Sequence, residues 1–191
     1  MFASKITKEE INNLETRHFT GDIHLIDTRS KFRDACREIA EQPLLGFDTE
    51  SKPSFRKGQV HDISLIQFAN ATDAWLIRLN KIGLPDELKS ILERKDLLKI
   101  GAGLNDDFNR IRNLDSIEPD GFLDLQKFVE KFEIESKSLK KLTAIILGFK
   151  ISKSQQLSNW EAEEFTEAQK LYAATDAWVC YEMYRVLSKR G

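Results

Sequence analysis

Two carboxylates lie two residues apart at the end of an apolar run, in the stretch Leu44-Leu-Gly-Phe-Asp-Thr-Glu50. Because alternate side chains of a β-strand share one face, Asp48 and Glu50 are predicted to project together, with Thr49 on the other side. Two carboxylates about 4 Å apart repel by roughly 4 kcal/mol at an effective dielectric near 20, and an oxygen-seeking cation would relieve that repulsion. The spacing is weak evidence alone, since 31 acids in 191 residues produce it about five times by chance.

A second acidic group, Asn105-Asp-Asp107, follows the apolar stretch 97–101 and opens a predicted helix. Short acceptor side chains here favour helix capping, whereas an acid presented at the sheet edge would favour chemistry. The glycines of Gly101-Ala-Gly103 lack the G-x-G-x-x-G spacing of a dinucleotide-binding loop. The residues alone do not decide whether this group caps the helix or takes part in chemistry. They also do not decide whether Asp106 or Asp107 would be the functional acid.

A third group lies in the last predicted helix, where Tyr172 precedes Asp176 by four residues. Residues spaced i, i+4 share a helix face, so the hydroxyl and the carboxylate can converge. The same row continues to Cys180, and a carboxylate among apolar neighbours is costly unless it is hydrogen-bonded or binds a cation. A satisfied Tyr–Asp pair is the structural alternative.

The elements that must position these residues follow from hydrophobic periodicity and from cap and turn residues. Strands are predicted at about 22–27, 44–50, 60–70, 74–77, 97–101 and 122–125. Helices are predicted from Thr7 and at about 28–41, 85–93, 105–113, 138–148 and 166–189. Hairpin-linked strands precede strands that alternate with helices, which predicts an α/β fold with a mixed sheet flanked by helices in one domain, 1–191.

Composition narrows the class of protein. With 41% hydrophobic and 31% charged residues, the chain has the composition of a soluble globular protein. A net charge of −2 and a pI near 6.0 mean that a polyanionic partner must meet a local basic patch. Cys36 and Cys180 are expected to be reduced thiols in the cytoplasm. No apolar run approaches 18 residues and no secretion signal is evident, so no membrane partner is expected. His18, His24 and His61 lack zinc-ligand spacing.

The ordered combination of Asp48-Thr-Glu50, Asp107 after two glycines, and Tyr172-x-x-x-Asp176 resembles the DEDD superfamily of 3′–5′ exonucleases. The tyrosine is typical of its tyrosine subclass, which contains ribonuclease D and the Werner-syndrome protein exonuclease domain. The stretch Leu157-Ser-Asn-Trp160 also resembles the stretch that precedes the last helix in this family. The resemblance covers about 30–190, after an N-terminal extension of 1–29, and implies a ribonuclease-H-like fold with a mixed five- or six-stranded sheet and helices on both sides.

The resemblance also implies a mechanism. Two divalent cations, Mg²⁺ or Mn²⁺, would be held by the acids, with Tyr172 orienting the attacking water. A tyrosine of ordinary pKa near 10 is a poor base at neutral pH, so positioning is its expected role. Nucleoside 5′-monophosphates would be released from a 3′ end. The family spacing favours Asp107 over Asp106. The implied catalytic residues are Asp48, Glu50, Asp107, Tyr172 and Asp176.

Substrate contacts are expected around the loop after Glu50 and the segment before the last helix. The candidates are Thr49, Lys52, Phe55, Arg56, Lys153, Asn159 and Trp160. Basic and aromatic side chains suit a single-stranded or recessed 3′ end of a nucleic acid. The alternatives are a solvated loop and, for Trp160, a buried anchor. The closer likeness to the Werner-type stretches favours DNA over RNA and leaves a helicase or other protein partner open.

Other functions remain to be weighed against an exonuclease. They are an inactive nucleic-acid-binding module on the same fold, an RNA-trimming enzyme like ribonuclease D, and a structural protein stabilised by a cation. The presence of all four acids and the tyrosine argues against the inactive module. Metal-dependent turnover separates the enzymes from the two inactive alternatives.

Overall fold

The computed structural model describes residues 1–54, 58 and 61–190, and its strands form one mixed sheet. The strands are β1 (Asp22–Ile26), β2 (Leu44–Ser51), β3 (Ile63–Ala69), β4 (Asp73–Arg78), β5 (Leu98–Gly101) and β6 (Phe122–Asp124). Their order across the sheet is β1-β4-β3-β2-β5-β6. β3 is antiparallel to β2 and to β4, and the remaining pairs are parallel. The predicted mixed sheet is confirmed, with six strands in the described part of the chain.

Helices fill the connections. They are α1 (Lys8–Asn13), α2 (Arg29–Ala40), α3 (Leu79–Ile82), α4 (Asp86–Glu93), α5 (Asn105–Leu114), α6 (Leu125–Phe128), α7 (Leu139–Leu147) and α8 (Glu167–Ser188), with a 3-10 helix at Val129–Phe132. α3, α6 and the 3-10 helix are four residues long and were not predicted, because one turn is too short to show a periodicity. No helix of the described residues is both long and apolar enough to cross a membrane.

Side-chain caps explain where several helices begin. Thr7 and Glu10 form a capping box at α1, which begins at the predicted place, and Thr166 with Gln169 forms another at α8. In each, the threonine hydroxyl accepts a hydrogen bond from a backbone N–H of the first turn that would otherwise have no partner in the helix. Thr28 caps α2 in the same way.

The start of β3 differs from the prediction. The strand was expected from Val60, which lies outside the described residues, but the ladder with β2 begins at Ile63 opposite Ser51. The register shifts between Glu50 and Ser51 at this place. Such an irregularity interrupts regular pairing and bends the strand, so the regular part of the ladder ends directly after Glu50, and both acids lie within it.

Helices cover both faces of the sheet, as predicted. On one face α2, α4 and α5 pack over Phe47 and Phe68. On the other, α8 packs over Leu65 and Leu76, and α7 over α8 and β5. Burial of these two apolar layers is the main source of stability.

The contact between α8 and β2 is unusually close. A Cβ built on Gly46 would lie 1.9 Å from the carbonyl oxygen of Ala177 and 2.9 Å from the backbone nitrogen of Tyr181. The facing helix residues Ala173, Ala174 and Ala177 have no exposed surface. Small residues on both sides let the helix backbone lie against the strand, and this sets the distance between the residues that follow Gly46 and those before Ala177.

Candidate active site

Three carboxylates meet where β2 ends beneath α8. Asp48 and Glu50 come from the strand and Asp176 from the helix, and one oxygen of each lies within 4.8 Å of the others. Asp48 and Glu50 are half-buried, and Asp176 is only 6% exposed. The shared face predicted for the two strand acids is therefore confirmed, and the close contact at Gly46 brings the helix acid to them.

Burial and mutual repulsion disfavour ionisation of these acids. Desolvation, followed by the charges of Asp48, Asp176 and Asp107, raises the pKa of Glu50 to about 10. The pKa of Asp48 is also raised well above its usual value, by desolvation and then by its acidic neighbours. Desolvation raises the pKa of Asp176 to about 7, although a hydrogen bond from Tyr172 and the charge of Lys153 oppose it.

These donors fit a divalent cation. The Oδ1 atom of Asp176 is buried and has no hydrogen-bond partner among the described residues. A buried acceptor without a donor is costly, and carboxylate oxygens are the ligands that Mg²⁺ and Mn²⁺ prefer. A cation among Asp48, Glu50 and Asp176 would satisfy this oxygen and remove the repulsion.

Asp107 approaches from the opposite side of β2. It lies in the first turn of α5, where its carboxylate accepts a hydrogen bond from the Thr49 hydroxyl. Desolvation raises the pKa of Asp107, against the hydrogen bond from Thr49 and the charge of Arg110. Its neighbour Asp106 is exposed. Thus Asp107 is outside the group of three oxygens but close enough to raise the pKa of Glu50.

The expected helix cap at Asn105 or Asp106 is not found, since no side chain of the described residues caps α5, which begins after Leu104. Instead Asp124, at the end of β6, accepts hydrogen bonds from the backbone nitrogens of Gly103 at 2.9 Å and Leu104 at 3.3 Å. Gly103 has a φ of +82°, which favours glycine. Asp124 therefore fixes the turn that presents Asp107.

Arg110 is a charged residue beside the site that the sequence reasoning missed. It is half-buried, and its Nη1 donates to the Ser51 hydroxyl at 2.6 Å, at the end of β2. The i, i+3 spacing from Asp107 on a predicted helix was the signal that could have found it.

Tyr172 lies beside Asp176 with its ring 6.0 Å from that of Trp160. Its pKa is raised far above 10 by burial and by the charges of Asp176 and Glu50, and by its hydrogen bond to Asp176. The hydroxyl therefore stays protonated and acts as a hydrogen-bond donor, in line with a positioning role.

The predicted substrate contacts fall into different places. Lys52 makes an ion pair with Glu161, 3.3 Å between Nζ and Oε2, which links the loop after β2 to the segment before α8. Lys153 and Asn159 are exposed. Trp160 is 0% exposed, so it has no surface for a substrate and corresponds to the buried-anchor alternative. Phe55 and Arg56 lie outside the described residues.

A buried arginine holds the segment that carries Trp160. Arg78, at the end of β4, donates to the carbonyl oxygens of Ala162 and of Glu163, the latter at 2.8 Å. Its guanidinium lies 4.1 Å from the centre of the Phe165 ring. This role was not predictable from the sequence, because an arginine at the end of an apolar strand is typical of the protein surface.

The pH dependence of stability in the absence of metal follows from these shifts. We expect the melting temperature in EDTA to fall as the pH rises from 5 to 9. Glu50, with a pKa near 10 against 4.5 unfolded, and Asp176, near 7 against 3.8, make the folded chain bind more protons over this interval, so stability decreases with pH.

Thermal melts in EDTA at pH 5, 7 and 9 would measure this dependence. Asp176→Asn should flatten it, and Mg²⁺ should raise the melting temperature most at the highest pH. A melting temperature in EDTA that rises over this interval would contradict the electrostatic account.

Comparison with known proteins adds to the geometry. A sequence model of 3′–5′ exonuclease domains matches residues 23–191. The chain is 29% identical to the exonuclease mut-7 homolog of Aedes aegypti, over 88% of this chain and 27% of that protein. It is also 29% identical to the bifunctional 3′-5′ exonuclease/ATP-dependent helicase WRN of Mus musculus, over 94% of this chain and 14% of that one. The chain thus matches about a quarter of the first relative and a seventh of the second.

A solved structure agrees with these matches. The crystal structure of the Aedes aegypti Nibbler EXO domain superposes with a TM-score of 0.80 at 28% identity, over 92% of each chain. The mixed sheet of six strands in the described residues, with helices on both faces, is thus the ribonuclease-H-like fold that the chain shares with the Nibbler EXO domain.

Proposed function

The chain belongs to the 3′–5′ exonuclease family, and from that membership we propose that it is a metal-dependent enzyme that removes nucleotides from the 3′ ends of nucleic acids. The observation that carries the proposal is the group of three carboxylates within 4.8 Å, one of which has a buried oxygen without a described partner. A protein that only bound nucleic acid would gain nothing from concentrating negative charge at the place where phosphates must approach.

We infer that Asp48, Glu50 and Asp176 hold the principal cation and that Asp107 serves a second one. When bound, such cations stabilise the charge on the attacking and departing oxygens of a phosphoryl transfer. The chain's own residues supply the geometry. Asp48 and Glu50 are fixed by the β2 ladder, Asp176 by the contact of α8 with Gly46, and Asp107 by Thr49.

Tyr172 has a separate role in the proposal. Its hydroxyl keeps its proton because of burial and the surrounding acids, so it donates a hydrogen bond and does not remove a proton. That one proton goes to Asp176 while no cation is bound. When the Asp176 carboxylate holds a cation, the same proton can be donated to the attacking water and hold it in line with the phosphate. Release of a nucleoside 5′-monophosphate then follows from cleavage at the 3′ side of the preceding nucleotide.

The proposed substrate is the single-stranded or recessed 3′ end of a nucleic acid, with DNA favoured over RNA. Lys153 supports the approach of a phosphate, because it is exposed and its charge reaches Asp176. The net charge of −2 predicts weak, salt-sensitive binding. A single domain, a cytoplasmic location and a protein partner such as a helicase belong to the same proposal.

The decisive experiment is digestion of matched DNA and RNA oligonucleotides, each labelled at the 5′ or at the 3′ end. With Mg²⁺ or Mn²⁺ we expect a ladder shortening from the 3′ end, and mononucleotide as the first product of the 3′ label. EDTA should abolish both, and the faster substrate identifies the preferred sugar. Internal fragments from the 3′ label, or no cleavage with either metal, would refute the proposal.

The two adjacent aspartates of α5 give a matched prediction. We expect Asp107→Asn to lower the cleavage rate by at least about 100-fold, or about 2.7 kcal/mol of barrier, because Asp107 is held beside the carboxylates by Thr49. Asp106→Asn makes the same chemical change one residue away on an exposed side chain, and should stay within about two-fold of the parent. Single-turnover rates measure both, and the reverse ranking would assign the role to Asp106.

A further inference from the structure

A pocket of about 170 Å³ lies against the outer side of Tyr172. One wall is the N-terminal segment 16–18, a second is formed by Ser152 and Ser154, and the floor is the first half of α8, including Ala168 and Tyr172. The pocket and the carboxylate group therefore share the tyrosine. Anything bound in this pocket lies one side chain away from the acids.

The N-terminal wall is held firmly in place. The backbone nitrogen of Arg17 donates to the carbonyl oxygen of Lys150 at 2.9 Å, and that of Phe19 donates to the Thr175 hydroxyl at 3.1 Å. The ring of Phe19 is buried against Trp178, 6.1 Å between centres. The two residues of α8 that hold this wall, Thr175 and Trp178, lie within six residues of Tyr172. The wall is therefore fixed relative to the carboxylate site.

This wall lies outside the matched family region. The 3′–5′ exonuclease match begins at residue 23, whereas the wall is made by residues 16–18. The pocket thus combines residues of the matched region with a wall from the segment that precedes it.

The lining of the pocket suits one nucleotide. Leu171, Ala168 and the ring of Tyr172 offer an apolar and aromatic surface on which a base or a sugar can lie. The hydroxyls of Ser152 and Ser154 can form hydrogen bonds with the polar edge of a base. Arg17 and His18 lie at the rim of the pocket, where they can contact a phosphate.

Charge and size support the same ligand. No acidic side chain is among the described residues that line this pocket, although Glu15 pairs with Arg17 at 2.8 Å just outside it. The volume of about 170 Å³ is below the roughly 300–1,000 Å³ of a site that encloses a whole drug-sized ligand. This volume suits the base or the sugar of one nucleotide, with its phosphate outside at the rim.

We propose that the pocket formed by the N-terminal segment and α8 beside Tyr172 is a subsite for one nucleotide unit, with its phosphate at Arg17. The proposal rests on the exonuclease function proposed above. The unit is either a nucleotide of the bound strand or the released nucleoside monophosphate, which share this chemistry.

Binding in EDTA tests the subsite without cleavage. The probe is a fluorescent single-stranded 10-nucleotide DNA, followed by anisotropy, with unlabelled dAMP as competitor. Ala168→Phe fills the pocket from an exposed position of α8, and Arg17→Ala removes the rim charge. Arg37→Ala, on the exposed face of α2, is the charge-matched control, and thermal melts verify that each variant is folded.

We expect Ala168→Phe and Arg17→Ala each to weaken binding of the DNA by at least about five-fold, and Arg37→Ala to stay within two-fold of the parent. Arg17→Ala should also reduce the slope of log K against log salt by about 0.7, because one phosphate contact is lost. Competition by dAMP that is lost in Ala168→Phe would identify the released nucleotide as the ligand, and absence of competition would identify the strand. If the parent cleaves but both variants bind the 10-nucleotide strand and dAMP as the parent does, the subsite is wrong and the enzyme stands. If the parent neither binds nor cleaves, the proposed function fails with it.

Discussion

Replacing Asp48 with asparagine is expected to lower the rate of 3′-end cleavage by at least about 1,000-fold, equivalent to about 4 kcal/mol of barrier. Asp48 is close to the other acids, since its pKa is raised by both Asp176 and Asp107. Asparagine keeps the size of the side chain but removes the charge that attracts a cation. The metal's contribution to the transition state, several kcal/mol in enzymes of this kind, would be lost with it.

The same substitution should stabilise the protein when no metal is present. Removing one of the clustered charges relieves repulsion, so the melting temperature of Asp48→Asn in EDTA should exceed that of the parent at pH 8, and added Mg²⁺ should raise it much less. Asp34→Asn, an exposed acid on α2, is the control and should change neither property. Full activity in Asp48→Asn would remove Asp48 from the mechanism, and an unchanged response to Mg²⁺ would remove it from the metal site.

Gly46→Ala is expected to cost about 3 kcal/mol of the free energy of unfolding, at the upper end for overpacked cores. Its Cβ would meet the carbonyl oxygen of Ala177 at 1.9 Å and the nitrogen of Tyr181 at 2.9 Å. Both are backbone atoms, so α8 as a whole must move. In a domain of this size the melting temperature should fall by about 6–12 °C, and cleavage should decrease more than the loss of folded protein explains, because Asp176 moves away from β2.

Gly148→Asn is the matched control for this substitution. Gly148 follows α7 with a φ of +75°, and a Cβ there meets no described atom within 4 Å. Asparagine tolerates this backbone region, so the cost should stay below about 1 kcal/mol. Urea unfolding and single-turnover rates measured on the same samples separate stability from activity. A Gly46→Ala variant as stable as the parent would show that the close contact is not needed.

The sequence was informative where chemistry depends on local spacing. The alternation of a strand placed Asp48 and Glu50 together, and the helical spacing placed Tyr172 against Asp176, as the structure shows. The element order predicted the mixed sheet, since hairpin turns and strand–helix alternation are also local signals.

Features that depend on distant contacts were not predictable in this way. The periodicity placed Thr49 on the side opposite the acids, but nothing in the spacing indicated that α5 would bring Asp107 to its hydroxyl. The turn before α5 is fixed by Asp124, from a strand that follows it. Arg78 is buried because two carbonyls of a segment 84 residues later accept its hydrogen bonds. Each of these contacts exists only after the chain has folded.

The contact of α8 with Gly46 has a consequence for the growing chain. Asp48 and Glu50 leave the ribosome before Asp176, which follows Glu50 by 126 residues, or about 6–25 s at typical synthesis rates. Until α8 is made and lies on β2, the strand acids have no third ligand and Tyr172 does not exist. On the proposed mechanism, a nascent chain that lacks α8 cannot cleave nucleic acid. The proposed nuclease activity therefore begins only when α8 docks on β2.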